Sequence, residues 1–115
     1  MTMLIILNRT PYDGTDVTWN ALRLAEQAMK DGSGVRVFLM NDSVDLARKG
    51  LGASPDYDLQ AMLKHLIAEG VEAKLCKTCV SRCGIGGGET IEEVEVATMP
   101  ELSEWVSASD RVLTF

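Results

Sequence analysis

The 115-residue chain predicts an α/β domain built on a largely parallel sheet. Three features point there. Continuous apolar runs at Met3–Leu7 and Val35–Met40 read as strands buried on both faces, the habit of parallel sheets. Each run is followed by a segment whose apolar residues recur at helical spacing. The connections are short and rich in turn residues, and strands alternating with helices in this way make a layered α/β domain. With 46% hydrophobic residues the chain has material for one core, and residues 1–115 are read as a single domain.

In chain order, Met3–Leu7 ends in the loop Asn8-Arg9-Thr10-Pro11. Asp13 or Thr15 is suited to cap the next segment, where Val17, Ala21, Leu24, Ala25 and Ala28 recur at helical spacing until Asp31-Gly32-Ser33-Gly34 stops it. After Val35–Met40, the side chains of Asn41-Asp42-Ser43 are suited to capping a short helix around Val44–Lys49. Gly50–Asp58 has turn residues and no period, so it is a loop, expected to be the most mobile part of the chain. Leu59, Met62, Leu63, Leu66 and Ile67 predict a helix over Leu59–Ala68, with Gly70 as its stop. Val71–Leu75 reads as a third strand, and the next helix is expected to begin within Lys77–Arg82. One helical turn over Thr90–Val94, a short fourth strand within Glu93–Thr98, a helix over Met99–Ala108 with Pro100 near its start, and a fifth strand over Arg111–Phe115 complete the chain.

Seventeen acidic residues against eleven basic ones leave a formal charge of -6, and the basic residues are scattered. Such a surface repels phosphate backbones and anionic lipids, so neither nucleic acid nor membrane is an expected partner. No run approaches the roughly 18 apolar residues of a membrane span, and the N-terminal apolar run is too short, and too poor in basic residues, for a signal peptide. Three cysteines are an odd number, which suits a reducing compartment better than secretion. A cytoplasmic location is expected.

All three cysteines lie in "LCKTCVSRCGI", Leu75–Ile85, at C-x-x-C-x-x-x-C spacing. Cys76 falls at the end of the third predicted strand, and open α/β sheets hold their sites at strand carboxyl ends. A thiol where a helix begins meets free N–H groups and the positive end of the helix dipole, both of which favour the nucleophilic thiolate. Cys76 and Cys79 are therefore the candidate catalytic residues, with Lys77 and Arg82 as candidate partners of the anion. Other readings stand beside this one. A reversible Cys76–Cys79 disulfide suits the same spacing. A structural zinc needs four ligands, whereas the chain offers three cysteines, His65 and no second C-x-x-C, so no metal is expected. Free cysteine also serves as a small buried hydrophobe, and Cys83 is the candidate for that role.

The glycines at 84, 86, 87 and 88 match neither a phosphate loop nor a dinucleotide fingerprint, so "GIGGGE" reads as a turn and no cofactor is expected. His65 lies off the apolar stripe and is expected in solvent. Trp19 and Trp105, on the two long helices, are expected to be buried or in a subunit contact. No histidine or acid stands at a spacing that would set a base beside the thiol, which keeps a non-catalytic ligand-binding or protein-binding module in view.

Three stretches resemble the DsrE/DsrF-like family, which takes in TusD-like sulfur-relay proteins and YchN-like proteins. "VRVFLMNDSVDLARKG" is similar to the family's second strand and following short helix. "GVEAKLCKTCVSRCGI" is similar to its cysteine strand and turn, and "VEVATMPELSEWVSASDRVLTF" to its C-terminal strand, helix and strand. The resemblance implies a three-layer α/β/α sandwich around a five-stranded, mainly parallel sheet. It implies that Cys76, followed eight positions later by Gly84 and then Ile85, matches the sulfur-carrying cysteine, with Gly84 part of the site. It further implies a sulfurtransferase or sulfur carrier holding a persulfide, sulfur donor and acceptor proteins as partners, and a homotrimer or homohexamer. The chain departs from the family pattern in having Cys79 and Cys83 as well, with Arg82 followed by a cysteine.

Overall fold

A computed structural model describes residues 1–115. Five strands form one sheet in the order β4-β3-β2-β1-β5, and all four pairings are parallel. β1 (Thr2–Leu7) lies between β2 (Gly34–Leu39) and β5 (Arg111–Thr114), which is why Leu4 to Leu7 are buried without alternation. The crossovers from β1 to β2 and on to β3 (Glu72–Cys76) carry α1 (Val17–Lys30) and α2 (Leu59–Ala68), which pack against each other, and the right-handed rule for such connections puts both on one face. The chain then reverses direction across the sheet. From β4 (Glu95–Ala97) it returns through α4 (Met99–Ala108) to the far edge, so α4 covers the opposite face and the three-layer sandwich is complete.

On α1 the buried stripe is Thr18, Ala21, Leu22, Ala25 and Ala28. Its alanines let the helix approach the sheet closely, and the stripe runs one position aside from Leu24, which is exposed. Asp16 holds the N-cap position without a side-chain bond, while Asp13 organises the preceding loop by accepting the Thr15 N–H at 2.9 Å and the Thr15 hydroxyl at 2.6 Å. Those bonds, with Arg9 behind them, hold the Asp13 carboxyl below its ordinary pKa. Asp58 caps α2 by accepting the Ala61 N–H at 3.0 Å. The segment before it is tied down: the Tyr12 hydroxyl donates to the Tyr57 carbonyl at 2.7 Å, and Ser54 and Tyr57 form a bridge.

Of the two short helical pieces expected, the first differs. The turn after β2 is a 3-10 helix over Asn41–Ala47 rather than a helix over Val44–Lys49. Ser43 is buried there and donates to the carbonyls of Leu7 at 2.8 Å and Met40 at 2.6 Å, drawing the turn tight against the end of β1. Thr90–Val94 holds a single turn, closed by the Val94 N–H on the Ile91 carbonyl at 3.4 Å, and goes no further because Thr90 bridges Arg48 and the Ile91 N–H donates to the Ala47 carbonyl at 2.8 Å. Trp105 is buried edge-to-face against Phe38, while Trp19 is half-buried against Tyr57. No helix is long and apolar enough to cross a membrane.

Candidate functional site

The carboxyl ends of the central strands meet at one edge of the sheet, stitched by asparagines. The Asn8 N–H donates to the Phe115 carbonyl at 2.8 Å, and the Asn41 side-chain amide donates to the Asn8 side-chain oxygen at 2.9 Å. Asn41 is the one non-glycine residue with a positive φ, at 51°. Asparagine tolerates this left-handed conformation better than other side chains, though at some cost. The conformation accompanies a specific contact. The backbone N–H of Asn41 donates to the sulfur of Cys79 at 3.1 Å.

β3 delivers Cys76 to the same edge, where it becomes the N-cap of α3 (Lys77–Arg82). Its Sγ accepts the Cys79 N–H at 3.3 Å. Two successive N–H groups thus point at two successive sulfurs, from Asn41 to Cys79 and from Cys79 to Cys76. Both sulfurs belong to side chains only 7% exposed. α3 has six residues, too short for a large dipole, so these bonds supply the local electrostatics. All three cysteines are free thiols. Burial, and then the contact with the Cys76 thiol, push the Cys79 thiol above its ordinary pKa, opposed by the Asn41 N–H.

A cavity of about 380 Å³ opens beside this pair, lined by Asn41, Asp42, Cys79, Arg82 and Cys83. Of the catalytic and binding residues expected from the sequence, Cys79 and Arg82 line it. Cys76 is buried outside the lining, and Lys77 is exposed outside it. Gly84 also lies outside it and has a backbone role. With φ of 70° it turns the chain after α3, so that the Gly84 N–H reaches the Ser81 carbonyl and the Ile85 N–H the Val80 carbonyl, each at 3.1 Å. This is the Schellman pattern, and it folds Ile85 back into the core.

Cys83 corrects an expectation. Read from sequence as the buried small hydrophobe, it is the C-cap of α3 and half-exposed, whereas Cys76 and Cys79 are the buried pair. Its position one turn beyond Cys79 carries it to the cavity wall. His65 is exposed on α2. No group of three or more His, Cys, Asp or Glu side chains stands where it could hold a metal ion. Asn8 and Asn41 are site residues that the sequence reading passed over as loop and cap, although asparagine at the end of a strand is a fair signal for a left-handed turn.

The model of the DsrE/DsrF-like family matches residues 1–115. The chain belongs to the DsrE/DsrF-like family. It is 39% identical over 115 residues to the protein YchN of Escherichia coli (strain K12), covering 98% of this chain and 97% of that one. It is 33% identical over 115 residues to the uncharacterised protein MJ0989 of Methanocaldococcus jannaschii, with full coverage of both. The crystal structure of the Escherichia coli YchN protein superposes with a TM-score of 0.89 at 37% identity, covering 100% of this chain and 99% of that one. The BT1422 protein of Bacteroides thetaiotaomicron, at 16% identity and a TM-score of 0.76 over 99% and 94% of the two chains, shares the fold. The DsrE/DsrF-like family includes sulfur-relay proteins.

Proposed function

We propose that this chain is a sulfur-transfer protein in which Cys76 accepts sulfane sulfur from a donor protein and holds it as a persulfide for an acceptor protein. The observation that carries the reading is the pair of N–H groups directed at the Cys79 and Cys76 sulfurs. A backbone donor fixed on sulfur stabilises the anionic form, whether thiolate or persulfide, without having to reorganise. In the step that loads Cys76, its thiolate attacks the outer sulfur of an incoming persulfide, a new S–S bond forms, the S–S bond of the incoming persulfide breaks, and the group that carried it leaves as a thiolate. Arg82, on the cavity wall, adds positive charge along the approach. The free state of all three thiols supports a reducing, cytoplasmic setting.

Incubation with a low-molecular-weight alkyl persulfide, followed by intact-mass and peptide analysis, tests the reading. One added sulfur retained on Cys76, absent from Cys76→Ser, is expected. A wild-type protein that gains no sulfur under conditions that load an established carrier overturns it.

Assembly as a homotrimer or homohexamer is part of the proposal, and exposed apolar side chains support it. Trp105 is spent inside the chain, but Met99 and Val106 of α4 are 60% and 41% exposed, and Val112 of the edge strand β5 is exposed as well. Closed symmetric association is the usual cover for such a face. Light scattering at micromolar concentration is expected to give the mass of three or six chains, and the mass of one chain counts against it.

A further inference from the structure

We propose that Cys83 is the entry thiol of an internal relay, taking sulfur from the donor in the cavity and handing it to Cys79, from which it reaches Cys76. The inference rests on the sulfur-transfer reading above and adds a residue, a direction and a route to it. Cys76, the residue proposed to hold the sulfur, is buried and does not line the cavity, so a donor entering there meets other sulfurs first. Two thiols line that wall. Cys79 is buried to 7% exposure, while Cys83 is half-exposed and stands between Arg82 and the turn at Gly84. Cys79 sits between the other two, its N–H on the Cys76 sulfur and its own sulfur in the same cavity as Cys83.

The spacing of Cys79 and Cys83 favours handover over cross-linking. The Cys83 N–H still donates to the Cys79 carbonyl at 2.9 Å, so the two residues keep helical geometry. Side chains four apart on a helix stand with Cβ atoms about 5–6 Å apart, beyond the about 3.5–4.5 Å that a disulfide requires. A persulfide carries its outer sulfur about 2 Å beyond Sγ and closes that gap. The first step is attack of the Cys83 thiolate on the outer sulfur of the donor persulfide, giving a Cys83 persulfide and the donor thiolate. In the second, the Cys79 thiolate attacks the outer sulfur of the Cys83 persulfide, forming a Cys79 persulfide and releasing the Cys83 thiolate. Cys76 repeats the exchange on Cys79. Each step moves one sulfane sulfur and consumes no other oxidant or reductant. The new persulfide on Cys79 forms where the Asn41 N–H already points.

Cysteine persulfide is the probe, with rapid quenching by an alkylating agent and peptide mass analysis at successive times. In the wild type, label is expected on Cys83 first and on Cys79 and Cys76 later. Cys79→Ser is expected to hold label on Cys83 and delay its arrival on Cys76, which then loads only by slow direct attack, and Cys83→Ser is expected to slow the loading of Cys76 about tenfold or more, since the intramolecular advantage is lost. Cys83→Ala, folded by circular dichroism, serves as the second variant. Loading of Cys76 at the wild-type rate in both Cys83 variants, or label on Cys76 before Cys83 in the wild type, overturns the relay while leaving sulfur transfer standing. No label on any cysteine of the wild type overturns both.

Discussion

Phe38→Ala is expected to destabilise the protein by about 3–5 kcal/mol, toward the upper part of the range for a buried phenylalanine. Phe38 is 1% exposed on the central strand β2, with Ile6 beside it on β1 and Lys74 beside it on β3. Parallel ladders on both sides hold that backbone in place, so the sheet has little freedom to collapse into the space left by the ring. The loss spreads to the next layer. Phe38 meets Trp105 of α4 edge-to-face at 6.0 Å and 85°, a contact of about 0.5–1.5 kcal/mol beyond burial. Arg36 and Lys74 each stand 5.1 Å from the centre of the Trp105 ring, and Lys74 pairs with Glu101 on the same helix at 3.5 Å. Phe38 thus anchors the one helix on its face of the sheet. Against a total stability of about 5–15 kcal/mol for a domain of this kind, the variant keeps a narrow margin. Leu24→Ala, on the exposed side of α1, should change stability by less than about 0.5 kcal/mol. Urea unfolding measures both: a lowered midpoint at constant slope is expected for Phe38→Ala, and a loss under about 1 kcal/mol would show that Trp105 refills the site.

Phe38 and Leu24 differ in how plainly the sequence marks their burial. Leu4 to Leu7 and Val37 to Leu39 announce themselves because a strand buried on both faces has no polar residues to break the run. Parallel order and the placing of Cys76 at a strand end follow from that. The stripe on α1 was harder to read, because it includes the buried Thr18, a polar residue that an apolar period passes over in favour of Leu24. The limits of the short pieces after β2 and at Thr90–Val94 share one cause. Residues 47–49 and 89–91 satisfy each other's backbone groups across more than forty residues of sequence, a pairing for which no local propensity speaks. In the site, the spacing of the cysteines was plain but their exposure was not. Whether Cys79 or Cys83 is buried depends on where α3 ends, and the Gly84 turn ends it so that Cys83 opens to the cavity. The Asn41 N–H on Cys79 arises from a tertiary contact between residues 38 apart and could be found only in the fold.

Under the proposed transfer chemistry, protein loaded with persulfide on Cys76 is expected to release sulfide faster as pH rises, and Cys79→Ser is expected to abolish that rise. Release at this site needs the Cys79 thiolate to attack the inner sulfur of Cys76. A Cys76–Cys79 disulfide forms, the S–S bond of the persulfide breaks, and hydrosulfide leaves with the electron pair, so the sulfane sulfur is reduced as the two cysteines are oxidised. The reactants are already in contact, with the Cys79 N–H on the Cys76 sulfur at 3.3 Å. Availability of the anion therefore governs the rate. Burial and the neighbouring thiol raise the Cys79 pKa above its ordinary value. Below that pKa the thiolate fraction grows about tenfold per pH unit, so the release curve should climb later than it would for a free thiol, whose pKa is about 8.5. At neutral pH the same shift keeps the Cys79 thiolate fraction small and slows loss of the cargo. The sign for stability agrees: a thiol pKa raised by folding contributes stability that is fully present below the unfolded thiol pKa and is lost as pH rises through the folded one. The unloaded wild type should accordingly lose more stability than Cys79→Ser in alkaline buffer. Measured sulfide release that is flat with pH, or that keeps the wild-type profile in Cys79→Ser, would remove Cys79 from the release step and leave it a conduit between Cys83 and Cys76.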